Sequence, residues 1–364
     1  MSACNLISAD HCDQWMNALE SCGLYDTYHL PEYHQLAEIQ GEGQPFLFFF
    51  QNAEDSAALP LLIRKISDVP GLEDCPLFDA TSVYGYPGVV TNVENNSMHA
   101  EAFRYQFQAA LLNVFHEKEI IAFFTRQNPL FSTSWLFQGM GDILAMGRTI
   151  AIDLEHSMHE QEKGMTKGHR YDIRKARESG VTSYDDNNFK RLDDFISIYN
   201  ETMQRNDALE YYFFPDSYYI ELIKLLGQKI KLFVAEKDGE LISASLFLLT
   251  DKIIQYHLSG TPSEYVKLSG AKVILDEVRN WGTNHGYKWL HLGGGLGSAE
   301  DSLFRFKAGF SKSRFSFEVV KAILEPQIYA KLVSQKNHWM ELNGFAKKSD
   351  NYFPAYRAPF IKKS

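Results

Sequence analysis

Apolar and polar positions alternate most regularly in the last third of the chain. The run 253–258 (IIQYHL) predicts a strand and is followed by a polar turn. A helix-period segment then opens at Ser269 and Gly270, and glycines at 282 and 286 end it. Its apolar positions recur at i, i+4 and i+7, as Ile274, Val278 and Trp281.

A glycine-rich loop follows directly on the next predicted strand. The apolar run 287–292 leads into Gly-Gly-Gly-Leu-Gly at 293–297, and a second helix pattern runs from about Ala299 to Gly309. The order strand, helix, strand, loop, helix predicts an α/β unit. Ligands of such units lie beyond the carboxyl ends of the strands, so the loop is the first place to expect a site.

The remainder of the chain also predicts mixed α/β structure. Before residue 149, helices are predicted at 10–23, 28–39 and 98–117, and strands at 46–50, 57–66 and 120–125. Residues 139–147 predict turns. After them come a strand at 148–154, helices at 167–178, 195–206 and 216–226, and a hairpin at 230–236 and 240–249. The end predicts a strand or helix start at 318–324, helices at 327–334 and 339–345, and a loose polar tail at 346–364.

Composition narrows the class of protein. A chain of 364 residues with 45% hydrophobic and 23% charged residues predicts two globular domains. The net charge of −10 argues against DNA as a partner and requires any anion site to be local. Neither a signal peptide nor a membrane-spanning run is recognisable, so we expect a cytoplasmic protein. The four cysteines form no Cys-x-x-Cys pair, and we expect no metal site.

Several segments together resemble one enzyme family. They are GHRYDIRKARESGV from residue 168, KLFVAEKDGELISASLFLLTDK from 231, HLGGG from 291 and LFRFKAGF from 303. They are similar to the FemABX-like branch of the GNAT acyltransferase superfamily, which includes peptidoglycan interpeptide-bridge transferases and envelope-glycan acyltransferases. The resemblance is close from Thr149 to Phe317 and looser before it.

The resemblance implies both an architecture and a reaction. We expect two GNAT-like domains packed around a cleft, at 1–148 and 149–320, with a segment at 321–364 that packs back on the first domain. We expect the enzyme to move an acyl or aminoacyl group from acyl-CoA or aminoacyl-tRNA to a primary amine. The acceptor would be a cell-envelope precursor, an amino sugar or muropeptide, free or lipid-linked, which places the reaction in the cytoplasm and at the inner leaflet.

Acyl transfer to an amine needs charge stabilisation and proton transfer, which points to three candidate catalytic residues. Lys307, on the helix after the glycine loop, matches the lysine of the family's Phe-Lys pair, and Phe306 would shape the pocket. Tyr256 is a candidate acid and His257 a candidate base, but the two alternate on one strand, so only one of them faces the site. His291 ends the strand before the glycines and is either a further catalytic candidate or a structural cap of that turn.

Candidate binding residues fall in two groups. Lys167, Arg170, Arg174 and Arg177 recur at i, i+3, i+7 and i+10, which places a cationic stripe on one helix face. Such a stripe is either a solvated helix face or an anion site, in which Arg170 and Arg174 would contact the anion. Arg305, which follows the glycine loop, is a further candidate for substrate binding. The second group consists of aromatic side chains in predicted turns, Tyr84, Tyr86 and Tyr212. These side chains either pack against the protein or line a cleft that faces the acceptor.

The donor remains open between two classes. Lys267, Ser269, Gly270 and Ala271 stand where acetyl-CoA GNATs carry Gln/Arg-x-x-Gly-x-Gly/Ala, but the second small residue is out of register. This departure keeps aminoacyl-tRNA open beside CoA, and the chain lacks the heptads of a coiled-coil arm that bridge-forming members often carry. A nicotinamide enzyme is excluded because the loop is not Gly-x-Gly-x-x-Gly. Alternatives are a non-catalytic GNAT-like module that binds glycan precursors or tRNA, and an acyltransferase of a small soluble amine.

Overall fold

The computed structural model describes residues 2–349 and 351–363. Its strands are β1 (Ser2–Ser8), β2 (Gln44–Asn52), β3 (Asp55–Lys65), β4 (Phe78–Thr81), β5 (Val90–Thr91), β6 (Ile120–Arg126), β7 (Asp142–Asp153), β8 (Thr182–Asp185), β9 (Ile230–Lys237), β10 (Glu240–Leu249), β11 (Ile253–Gly260), β12 (Trp289–Gly293), β13 (Arg314–Ile323), β14 (Phe345–Lys347) and β15 (Phe360–Lys362). Its helices are α1 (Cys12–Ser21), α2 (Pro31–Ile39), α3 (Ala100–Glu117), α4 (Met158–Gly164), α5 (Lys167–Glu178), α6 (Leu192–Arg205), α7 (Asp216–Leu226), α8 (Gly270–Asn284), α9 (Ser302–Ala308) and α10 (Pro326–Leu342).

The chain forms two units, each with its own core. The first holds the residues up to Met146 and those from Phe317 onwards, and the second holds Gly147–Ser316. The chain therefore leaves the first unit within β7 and returns to it within β13.

In the first unit, a sheet in the order β1-β2-β3-β4-β6-β13 packs against α3. All of its strand pairs are antiparallel except β4 with β6, which α3 connects as a crossover helix. The buried face of α3 repeats every fourth residue, as Phe103, Phe107, Leu111 and Phe115. Full burial of each such side chain contributes about 1.5–3 kcal/mol, so this stripe holds the helix on the sheet.

In the second unit, a sheet in the order β7-β12-β11-β10-β9-β8 packs against α8. The parallel pair is β11 with β12, and α8 connects them. Ile274 and Val278, both expected on the buried face, are fully enclosed and belong to the same core as Ile254 and Leu290. The prediction of a helix between two strands here is confirmed, although β12 begins at Trp289, two residues later than expected.

The two units repeat one plan. A hairpin, β2-β3 or β9-β10, leads into a strand, a crossover helix and a parallel strand: β4-α3-β6 in one unit and β11-α8-β12 in the other. In each unit a strand from the other half of the chain completes the sheet. Val319–Ile323 of β13 pair with β6, and Ile150–Asp153 of β7 pair with β12. The mixed α/β class is thus confirmed, with a repeat that the sequence does not display.

Several predicted elements need correction. The two helices expected at 327–334 and 339–345 are one helix, α10, and Lys336, between the two predicted helices, is buried with its ammonium over the Trp339 ring. The turn-rich passage 139–147 enters β7 at Asp142. The strands β1, β4, β5 and β8 and the helix α4 have no counterpart among the predicted elements.

The expectation of a loose tail at 346–364 is wrong for the residues that the structure describes. β14 pairs with β15, and Tyr356 is fully buried in the first unit. Its hydroxyl donates to Oδ2 of Asp79 over 3.0 Å, and the same oxygen accepts from Nε of Arg357 over 2.6 Å. Arg64 pairs with the other oxygen over 2.7 Å, so a fully buried carboxylate is satisfied on both sides.

Within 2–349 and 351–363, no helix is long and apolar enough to cross a membrane.

Replacing Tyr356 tests whether this tail segment stabilises the first unit. Tyr356→Phe removes one buried hydrogen bond to a charged acceptor, and we expect the free energy of unfolding to fall by about 1.5–3 kcal/mol in urea denaturation. Tyr352→Phe is the matched control because Tyr352 is exposed, and it should have no measurable effect. Equal stability of the two variants would contradict the role given to the Asp79 network.

Candidate active site

The glycine loop that follows β12 has a conformation determined by one carboxylate. Asp301 caps α9, with Oδ1 accepting from the backbone N–H of Phe304 over 2.8 Å, while Oδ2 accepts from the N–H of Leu296 over 3.1 Å. Gly295 has no space for a side chain, because a Cβ there would collide with the carbonyl of Ala299 and with Asp301. The loop therefore needs glycine for close packing, and it is held at a fixed distance from α9.

Lys307 lies on α9 and points back under this loop. The side chain is buried, and Nζ donates to the carbonyl of Gly294 over 2.8 Å. Burial lowers the pKa of Lys307 to about 8, and the charge of Asp301 acts in the opposite direction. At neutral pH the site thus contains a cation with three N–H donors, of which Gly294 takes one.

Tyr256 faces the same site from β11. Nζ of Lys307 lies 5.9 Å from the centre of the Tyr256 ring, which is within the range of cation–π attraction. Burial raises the pKa of Tyr256, so the phenol keeps its proton at neutral pH and is able to donate it. The expected alternation is confirmed, since His257 points to the other face, 3.4 Å from the hydroxyl of Tyr218 on α7, where burial lowers its pKa to about 4.

His291 bridges neighbouring strands, which favours the structural role that the sequence left open beside a catalytic one. Its Nδ1 donates to Oε1 of Gln255 on β11 over 2.8 Å, and its Nε2 accepts from the hydroxyl of Thr149 on β7 over 2.9 Å. Burial and the nearby charge of Lys307 lower the pKa of His291 to about 3, so the ring is neutral with both nitrogens engaged. It ties β12 to the strands on both sides.

His169, which the sequence patterns did not single out, connects α5 with the helix that carries Lys307. Its Nε2 donates to the carbonyl of Phe306 over 2.9 Å, and its ring packs on Phe310 at 4.8 Å between centroids. The hydroxyl of Thr166 lies 3.2 Å from Nδ1, and a Cβ at Gly309 would collide with the imidazole. His169 and Phe306 both lie in segments that carry the family resemblance, GHR at 168–170 and FKAGF at 306–310. Nothing in either segment indicates that the two residues are in contact.

The cationic stripe on α5 is divided between ion pairs and solvent. Arg177 pairs with Asp276 and Glu277 of α8 over 2.9 and 3.4 Å, so its charge is already matched. Arg170 donates to the carbonyl of Glu162 over 2.9 Å. Arg174 is exposed and lies 3.7 Å from Glu178. Arg177 is therefore engaged in ion pairs on the protein itself, whereas Lys167 is exposed to solvent. Arg170 and Arg174 stay the proposed anion contacts.

The predicted donor-binding turn begins α8, but packing accounts for its glycine. Ser269 adopts a left-handed conformation with φ of 58°, and Lys267 is exposed in the preceding turn. A Cβ on Gly270 would lie 2.9 Å from Cβ of Ser243, so the glycine lets α8 pack closely on β10. Ala271 is partly buried beside it.

The structure places the remaining candidates in different parts of the two units. Arg305 is exposed on α9 and donates to the carbonyl of Glu300 over 3.1 Å. Tyr212 belongs to the second unit, where its carbonyl accepts from the hydroxyl of Tyr199 over 3.0 Å. Tyr84 and Tyr86 belong to the first unit, with the Tyr86 ring packed on Phe317 at 5.1 Å. What the structure brings together is Lys307, Tyr256, Phe306 and the glycine loop.

Comparisons with known proteins agree with this geometry. Residues 164–307 match the family model described as an acetyltransferase (GNAT) domain, a match that ends on Lys307. A UDP-N-acetylmuramoylpentapeptide-lysine N(6)-alanyltransferase from Weissella viridescens is 26% identical over 165 residues, which cover 44% of this chain and 48% of that protein. The predicted resemblance to the FemABX-like branch of the GNAT acyltransferases is confirmed. The aligned part of the chain spans about half the length of this FemABX-like relative.

Solved structures extend the FemABX-like resemblance over both units. The crystal structure of FemX has a TM-score of 0.67 at 13% identity, and the match covers 90% of this chain and 99% of FemX. A domain assigned to a lysylphosphatidylglycerol synthetase from Agrobacterium fabrum has a TM-score of 0.55, also at 13% identity, over 86% of this chain and 92% of that one. At this identity the likeness is one of fold, and it extends over both units of the chain.

The buried histidines predict a steep loss of stability in acid. The folded-state pKa is lowered to about 3 for His29 and His291 and to about 4 for His34 and His257. Below pH 6.5 the unfolded chain takes up protons that the folded chain does not, so the free energy of unfolding falls by about 1.4 kcal/mol per pH unit for each histidine. The fall ends near the folded-state pKa.

His291→Gln tests the contribution of one of these groups. Urea denaturation between pH 4 and pH 6 should show a slope against pH that is lower by roughly one proton than in the wild type. His116→Gln, at an exposed position on α3, is the control and should keep the wild-type slope. An unchanged slope in His291→Gln would mean that His291 is protonated in the folded protein.

Proposed function

We propose that this protein is an N-acyltransferase that moves an aminoacyl or acyl group from aminoacyl-tRNA or acyl-CoA to a primary amine of a cell-envelope precursor, an amino sugar or a muropeptide. The observation that carries the proposal is the buried ammonium of Lys307 beneath the glycine loop, 5.9 Å from the ring of a protonated tyrosine. The name of the Weissella viridescens relative, an alanyltransferase for a lysine in a muramoylpentapeptide, supports the acceptor class.

Lys307 would supply the charge stabilisation that the reaction requires. The acceptor amine attacks the acyl carbonyl carbon, a C–N bond forms, and the carbonyl oxygen becomes an oxyanion. The intermediate then breaks the C–O bond of a tRNA ester or the C–S bond of a thioester. A fixed ammonium in a water-poor site favours the oxyanion or the leaving group over the neutral substrate, since the charge exists only after the attack.

Tyr256 would supply the proton for the leaving group. Its raised pKa keeps the phenol protonated, and its ring lies within 5.9 Å of the Lys307 ammonium. When the C–O or C–S bond breaks, the proton passes from Oη to the departing oxygen or sulfur, and the amine releases its proton to solvent. Phe306, with its ring packed near His169 at 5.8 Å, would bound the acyl group on α9.

Of the two donors, the aminoacyl ester is the one that the geometry favours. Gly270 is accounted for by packing, and Lys272 at the start of α8 is already paired with Asp172 over 2.5 Å. Of the two lysines at this turn, Lys267 is exposed and Lys272 is already paired, so the turn offers few cations to a CoA pyrophosphate. Acyl-CoA is the second candidate because the matched family is described as an acetyltransferase.

The proposed partners follow from these assignments. Arg170, Arg174 and Arg305 are proposed contacts for the phosphates of donor or acceptor, and Tyr84, Tyr86 and Tyr212 for the acceptor. We propose that the reaction takes place in the cytoplasm, on a soluble or lipid-linked precursor, with no role for DNA. A non-catalytic module is disfavoured, because a binding surface gives no reason to bury a lysine beside a phenol.

Replacing Lys307 tests the proposed role. The wild type is assayed with alanyl-tRNA and with acetyl-CoA, each against a UDP-linked muropeptide and glucosamine, by mass spectrometry of the N-acylated product. In Lys307→Ala we expect kcat to fall by about 10²–10³-fold with whichever donor is active, the cost of one oxyanion donor. Lys312→Ala, which removes an exposed lysine five residues away, is the control and should keep full activity.

The pH dependence of the activity shows which protonation state of Lys307 the reaction uses. The useful form is the ammonium, so activity should decline as pH rises through about 8, the pKa of Lys307. Product formation by Lys307→Ala at the wild-type rate would refute the assignment. So would a wild-type rate that keeps rising beyond pH 9 with a thioester or ester that is itself stable there.

A further inference from the structure

We infer that the first unit carries a second ligand site, for an uncharged or amino sugar, beyond the carboxyl ends of β4 and β6, the counterparts of β11 and β12 in the second unit. The inference goes beyond the proposed transfer chemistry and does not depend on it. It rests on the repeated topology, on a cavity at that place, on enclosed polar groups that have no partner, and on the chemistry of the lining.

The topology places the site beyond a parallel strand pair. β4 and β6 are parallel and joined by α3, as β11 and β12 are joined by α8. Thr81, the last residue of β4, lies opposite Leu62 of β3, and further along β3 residues Ala57 and Ala58 pair with β5. The short strand β5 therefore lies past the carboxyl end of β4, where α/β folds bind ligands.

A cavity of about 500 Å³ opens at this end of the sheet. Its lining includes the apolar side chains of Val90, Val93 and Phe131. It also includes Glu94, Asn95 and Asn96, all exposed. A cavity of this volume, lined by apolar and polar side chains, has room for a small molecule.

Enclosed polar atoms surround the end of β6 without hydrogen-bond partners. The hydroxyl of Thr133, a cavity residue, is one, and both amide atoms of Gln127, the residue after β6, are others. Each such group loses the hydrogen bonds that it makes with water in the unfolded chain, so leaving it unpaired destabilises the folded protein. Polar atoms of this kind are a common mark of a place where a ligand or ordered water completes the hydrogen bonding.

The lining selects the ligand class. Among the described residues that line the cavity there is no lysine or arginine, and Glu94 is acidic, so a phosphate or the pyrophosphate of CoA is disfavoured. Hydroxyl and acetamido groups would pair with the amides of Asn95 and Asn96. The apolar face of a sugar ring would lie on Phe131, as aromatic rings favour C–H contacts on their faces. An amino group on the sugar would lie near Glu94.

Saturation-transfer NMR on the full chain, with N-acetylglucosamine and glucosamine as probes, tests the inference. We expect saturable binding of at least one of the two sugars to the wild type. The double variant Asn95→Ala/Asn96→Ala should weaken that binding at least tenfold with an unchanged Tm, because both side chains are exposed and solvated. Lys307→Ala, in the other unit, is the matched control and should bind as the wild type does.

Three results would overturn the inference. The first is no saturation with either sugar up to tens of millimolar. The second is equal affinity of the double variant and the wild type, which would place any binding elsewhere. The third is loss of sugar binding in Lys307→Ala, which would assign the sugar to the site of the proposed reaction. Because the readout is binding, an inactive transferase would leave these outcomes unaffected.

Discussion

The hydrogen bond from the Lys307 ammonium to the carbonyl of Gly294 is the interaction on which the second unit's site depends. A cation is buried at a loop, and burial alone would expel it or remove its proton. Asp301 counters this through its charge, while it also caps α9 and holds Leu296. The glycines allow the loop to close over Lys307, and the neutral His291 beneath it adds no competing charge. The result is a positive charge kept in place before any substrate arrives.

Local pattern was sufficient to predict the elements around this site, but not its main residue. The periodicity after Ser269 predicted α8, and alternation on β11 placed Tyr256 and His257 on opposite faces. Lys307 needed more than pattern, since an isolated lysine on a short helix resembles any surface lysine, and only the family resemblance singled it out. That its side chain is buried confirms the special environment, while its role in chemistry stays a proposal.

What the sequence could not supply are contacts between residues distant in the chain. His291 was a catalytic candidate because it ends the strand before the glycines, yet Thr149 and Gln255, 142 and 36 positions away, occupy both of its nitrogens. Arg177 belonged to a stripe on one helix, but its partners are on α8. His169 contacts Phe306 across 137 positions. The tail residues 355–357 reach Asp79 in the same way. Periodicity is silent about each of these pairs, because it describes one element at a time.

The most direct test of the central claim is the pKa of Lys307 itself. It is measured by NMR titration of the protein labelled with ¹³C at the lysine ε carbon, with the Lys307 signal identified by its absence from Lys307→Met. The structure predicts a midpoint near 8, well below the 10.5 of an exposed lysine, and no loss of fold across the titration. A Lys307 signal that titrates with the exposed lysines would show that the ammonium is solvated, and the site described here would then lack its organising charge.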